Sequence, residues 1–175
     1  MQMTLPTWFV TTLVAAFTST TFAQAQGKIE IPAAIKPAAG LNTYLEAPAI
    51  GVQIYTCGKM ESGAFGWIFK APEAQLFDTQ NKLIGKHYAG PTWEGLAGEK
   101  VVGAVKANMP APDRNSTPWL LLDITSSAGP GLLTQAKGIL RVSTTGGLPA
   151  GQTCGEAQSG TEFRVPYTAT YLFLK

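Results

Sequence analysis

Charge is scarce in this sequence. Lys, Arg, Asp and Glu make up 14% of its 175 residues, well under the ~25% of an ordinary globular domain. The formal net charge is +2 and no basic cluster occurs. The focused Lys/Arg surface that nucleic-acid binding needs is therefore missing. Histidine occurs once, as His87, which excludes a zinc site built from several imidazoles. The acids are spread singly, unlike the carboxylates of a calcium loop. There is no P-loop, no H-E-x-x-H and no G-x-S-x-G. The nearest approach to the dinucleotide pattern G-x-G-x-x-G, "GPGLLT" at 129–134, fails at Thr134 and opens no helix. No cofactor and no metal is expected. Helical periodicity is lacking too, as is any repeat of solenoid or propeller length. With 45% hydrophobic residues the chain is nevertheless able to build a core.

Charge disappears altogether between Met1 and Ala25. Leu5 to Phe22 is largely apolar or small, and Ala23-Gln24-Ala25 fits the small-x-small pattern of a signal-peptidase site. The uninterrupted apolar part, Trp8 to Phe17, is too short to span ~30 Å of hydrocarbon. The missing basic residue ahead of it departs from the usual pattern. Residues 1–25 read as a signal peptide cleaved near Ala25, and the protein as secreted or periplasmic. No later stretch reads as membrane-spanning. Export bears on the two cysteines, Cys57 and Cys154. In an oxidising compartment a distant pair is most simply one disulfide. The alternative, a reactive thiol or metal ligand, has no C-x-x-C partner to support it.

Residues 26–50, rich in Ala and Pro, read as an extended arm, because Pro32, Pro37 and Pro48 prevent a long helix. From Gly51 onward, strand-like runs alternate with turn signals: 51–57, 66–71, 74–78, 82–88, 100–107, 118–126 and 132–144. The last of these reads as one bent strand with Gly138 at a bulge. Asn81 lies in the turn "TQN" and is able to take a positive φ. The run Leu120–Leu122 suggests a strand buried on both faces. The final segment is strictly period-two, with Phe163, Val165, Tyr167, Ala169, Tyr171 and Phe173 on one face. Pro166 within it marks an edge or bulge. The domain, 51–175, is expected to be a single all-β antiparallel sandwich or barrel of about eight strands.

Candidate chemistry concentrates in "KHYAGPTWEG", residues 86–95. His87 with Glu94 as its orienting carboxylate is a possible general base. His87, Tyr88, Trp93 and Glu94 together form a candidate ligand-binding set. The competing structural reading makes Gly90-Pro91 a turn, with Tyr88 and Trp93 covering the core. Trp93, beside that turn, is the candidate sugar-stacking platform, whereas Trp67 and Trp119 read as core. Asn115 heads a formal N-glycosylation sequon, or simply a polar loop before a strand.

The phrases "GVQIYTC", "HYAGPTWE", "PWLLLD", "TTGGLPAGQTC" and "VPYTATYLF" together resemble the domain of unknown function 3455 family. The resemblance covers residues 48–175. It implies a small, exported, β-rich protein with two matching cysteines and carries no established activity. Some fungal members bear a malate-dehydrogenase label, for which the failed glycine pattern gives no physical support. After the Trp-Glu motif the family often has Asp-Gly-Ser, where this chain has Ala97-Gly98-Glu99. That suggests a turn at 97, with Glu99 as the remaining candidate partner for His87.

The resulting expectation is a non-catalytic binding or cell-envelope/extracellular protein whose partner is a glycan or small molecule. The alternatives are a carbohydrate-binding module using Trp93 and a small hydrolase or lyase using His87 and Glu94. Alkylation of the exported protein is expected to label neither Cys57 nor Cys154 until a reductant is added. Two labelled thiols by mass spectrometry in the untreated protein would refute the disulfide.

Overall fold

The computed structural model describes residues 29–175; the proposed signal peptide lies outside them. Eight antiparallel strands follow one another: β1 (Thr43–Lys59), β2 (Phe65–Phe77), β3 (Leu83–Tyr88), β4 (Thr92–Gly95), β5 (Lys100–Met109), β6 (Trp119–Ala128), β7 (Gly138–Gly146) and β8 (Glu162–Leu174). Each pairs with the next, and β8 returns to pair with β1. Of the two expected architectures, the closed barrel is the one formed.

Closure divides every strand into an inner and an outer face, because successive side chains point to opposite sides. Inner residues include Ala47, Leu76, Trp93, Leu122, Ile139, Tyr171 and Phe173. The outer face of β6, β7 and β8 is apolar as well, through Leu121, Leu140, Val142, Leu172 and Leu174. The arm covers it with Ile29, Ile31, Ile35 and Leu41. Leu120–Leu122 is thus buried from both sides, as its composition predicted. Each aliphatic side chain fully withdrawn from water there contributes about 1.5–3 kcal/mol.

The two ends of the barrel differ. At one end Leu133, in a 3₁₀ turn spanning Leu133–Gln135, is buried in the inner core. The Tyr44 hydroxyl fastens this plug by donating to Leu132 O at 2.9 Å. At the other end lie the β3–β4 hairpin turn and the long β7–β8 connection. The Cys57–Cys154 disulfide, with Cα atoms 5.6 Å apart, ties that connection to β1. It closes a loop across a sequence separation of 97, which in the chain-entropy model contributes about 4–5 kcal/mol.

Several local expectations need correction. Residues 43–50 belong to β1, so the arm ends sooner than residue 50. The segments 66–71 and 74–78 are one strand, with the irregularity at Lys70 rather than a break at Pro72. β4 was not foreseen, because four residues carry too little periodicity. Residues 132–137 form the plug, and Gly138 opens β7 instead of sitting at a bulge. The Asn81 turn holds, with φ 62°. Pro166 sits just past Tyr167, the last β8 residue paired to β7, so the lost donor has no partner to disappoint on that side. Asn115 of the sequon is exposed.

Trp67 is half-buried rather than core. Its Nε1 donates to Gln152 O at 3.1 Å and its ring meets Phe163 at 5.5 Å. Trp119 is half-buried among the outer residues under the arm. Trp119→Ala is therefore expected to cost about 2 kcal/mol in denaturant unfolding, less than the ~3–5 kcal/mol of a fully enclosed tryptophan. A loss below about 0.5 kcal/mol would mean the arm does not seat on this face.

Candidate functional site

A cavity of about 310 Å³ occupies the end of the barrel opposite the plug. It runs inward from the β3–β4 turn (Ala89, Gly90, Pro91), and its deeper wall holds His87, Trp93, Leu122, Arg141 and Tyr171. It reaches the surface between Phe69 and Val105, which are 51% and 52% exposed. The cavity exists because the inner face carries small residues beside large ones. Behind the Trp93 wall, a Cβ at Gly103 would stand 3.2 Å from the indole, so the glycine gives that ring room beside β5.

Strand register decides which candidate residues meet. The three-residue turn 89–91 pairs Tyr88 with Thr92, His87 with Trp93 and Lys86 with Glu94. His87 and Trp93 thereby face inward together. Their rings stack at 4.5 Å with an 18° interplanar angle, and Tyr171 packs against both. Glu94 falls on the outer face. There it accepts a hydrogen bond from the Tyr88 hydroxyl at 2.7 Å and pairs with Lys86 and Lys100, each at 3.3 Å. These partners, Tyr88 first, hold the Glu94 carboxyl below its ordinary range. The candidate pairing of His87 with Glu94 is not formed, since the barrel wall separates them. Glu99 does not replace it. It packs against Gly95, Gly129 and Gly131, outside the cavity wall. Ala97 and Gly98 do form a turn, with Gly98 at φ 87° donating to Gly95 O.

His87 is 2% exposed. Its Nδ1–H donates to Thr92 O at 2.8 Å, which fixes the tautomer and leaves Nε2 as an acceptor. Burial pushes its pKa down to about 3; the Thr92 bond opposes that shift and the nearby Arg141 adds to it. Trp93, the candidate platform, is 0% exposed, in line with the competing reading that placed it over the core. Its ring is spent on packing because register turns it into the core.

Arg141 was not singled out from the sequence. It lies on the inner face of β7 between Leu120 of β6 and Tyr171 of β8 and is 9% exposed. Its Nε and Nη2 donate to Pro118 O at 3.1 and 2.8 Å. None of the ion pairs among the described residues includes it. A signal was available: one Arg interrupts the apolar run "GILRV" at the parity of Ile139. Burial raises the Tyr171, Tyr167 and Tyr55 hydroxyls above their ordinary range, and the Arg141 charge partly offsets this in all three.

Among the described residues no group of three or more His, Cys, Asp and Glu is placed to hold a metal. No helix there is long and apolar enough to cross a membrane. The class is a closed eight-stranded antiparallel barrel with an internal, polar-tipped pocket. Residues 37–175 match the family model described as "Protein of unknown function (DUF3455)", and the chain belongs to that family. Neither the curated proteins nor the solved structures searched contain a match.

The buried neutral histidine makes stability depend on pH. Its folded pKa lies below the ~6.5 of the unfolded chain, so it has no effect above that pH. As pH falls from 6.5 toward 3 the unfolded chain takes up a proton that the folded one refuses, and stability declines. Urea unfolding is expected to show a loss of about 2 kcal/mol between pH 7 and pH 5. His87→Asn, which keeps a donor and does not titrate, is expected to abolish most of it. An equal loss in both proteins would show that His87 is not the group responsible.

Proposed function

We propose that this is an exported, non-catalytic binding protein that takes one small, largely apolar molecule into the unplugged end of its barrel. The observation that carries this reading is the cavity itself: concave, mostly apolar, and tipped by a few convergent polar groups on rigid strands. An eight-stranded barrel has room either to fill completely or to hold one small ligand. At about 310 Å³ the space is roughly twice the ~150 Å³ that accommodates benzene. The disulfide favours export to an oxidising compartment, in keeping with the signal-peptide reading of residues 1–25.

Catalysis is the weaker reading. His87 has no carboxylate partner, and burial keeps it neutral through the physiological range. A glycan-binding platform at Trp93 lacks its main requirement, an open ring face.

The test is uptake of compact aryl and medium-chain alkyl compounds by the mature protein, followed by native mass spectrometry and Trp93 fluorescence. Wild type is expected to bind several with one-to-one stoichiometry. Leu122→Trp, which fills the cavity from its wall, is expected to abolish binding while preserving the fold. Undiminished binding by Leu122→Trp would refute the pocket.

A further inference from the structure

Resting on the pocket reading above, we propose that Arg141 anchors an anionic head group, so that the ligand is a monocarboxylate with a compact aryl or medium-chain alkyl body. A guanidinium in a barrel interior is costly to keep unless something neutralises it. Among the described residues Arg141 has no ion-pair partner, and the cavity wall they form contains no Asp or Glu. The other cation in that wall, Lys70, is at the rim and already paired with Glu162.

Trp93 lines the cavity, but its Nε1 is buried away from the open space and has no acceptor among the described residues. The Tyr171 hydroxyl, 3.3 Å from that of Tyr167, supplies a neutral hydroxyl beside the guanidinium. A cavity wall that holds a buried guanidinium and no acid calls for a ligand that brings one negative charge. The planar fork of Arg suits a carboxylate, in a charge-assisted bond shielded from water. One unpaired cation matches a monoanion better than a phosphate dianion. The rest of the wall, Phe69, Pro72, Pro91, Val105, Leu120 and Leu122, is apolar and selects the body.

The experiment compares octanoate and hydrocinnamate with octanol and hydrocinnamyl alcohol, and with inorganic phosphate, at constant ionic strength. It uses wild type, Arg141→Met, Arg141→Lys and Leu122→Trp. In wild type each acid is expected to bind about tenfold or more tightly than its alcohol. Arg141→Met is expected to erase that preference while the alcohols still bind, and Arg141→Lys to keep part of it. Wild type binding acid and alcohol equally overturns the anionic head but leaves the pocket standing. Phosphate binding as tightly as the acids overturns the monocarboxylate assignment. Failure of acids and alcohols alike, or indifference to Leu122→Trp, removes the pocket reading and this inference with it. If Arg141→Met does not fold, the wild-type comparison and Arg141→Lys decide.

Discussion

The pairing of β1 with β8 is the constraint on which the rest depends. It runs from Thr43↔Leu174 to Thr56↔Glu162 and turns a meander of hairpins into a ring. A ring leaves no strand as a free edge over its whole length, although β2 and β5 extend past the short β3–β4 hairpin that lies between them. It also fixes, for every residue in the wall, whether the side chain points in or out. Once Ala47 faces Tyr171 and Ala49 faces Ala169, parity carries the assignment around the barrel to His87, Trp93 and Arg141. The disulfide reinforces the same junction, joining β1 to the connection that leads into β8.

Much of this was legible in the residues. The period-two pattern of β8 could be read directly, because its two faces meet different environments from Phe163 to Thr170, before the arm buries both faces at Tyr171–Leu174. The doubly apolar Leu120–Leu122 run correctly implied cover on both sides, although only the structure identifies the arm as the outer cover. β4 and the plug were not legible for a physical reason. Four residues are too few for a period to emerge, and "LLTQAK" has the composition of a strand while tertiary packing makes it a turn. The site suffered from the same limit. His87 and Glu94 are seven residues apart, and whether they share a face depends on turn length alone. A three-residue turn puts an odd offset between them, and they end on opposite sides of the wall. For Trp93, beside the turn, both a platform and a core role were open, and the same register decides for the core.

Arg141 shows where sequence reading could have gone further. Motif searches look for clusters, and Arg141 belongs to none. Its signal is contextual: a charge at the inner parity of a strand that is otherwise apolar on both faces. Such a residue is seldom neutral for stability, so its presence asks for a compensating partner. Pro118 O accepts from two of its N–H groups and the neutral Tyr171 hydroxyl lies beside it, which leaves the charge unbalanced among the described residues.

The pH behaviour of His87 rests first on burial, and that one charge adds to it. Arg141 disfavours a second cation in the same low-dielectric space, and so helps keep the imidazole neutral. A neutral His87 in turn lets its ring stack face to face on Trp93 without desolvating a charge. An anion bound against the guanidinium would cancel the Arg141 contribution at His87 and leave the larger cause, burial, in place, so the imidazole would stay neutral with the pocket filled.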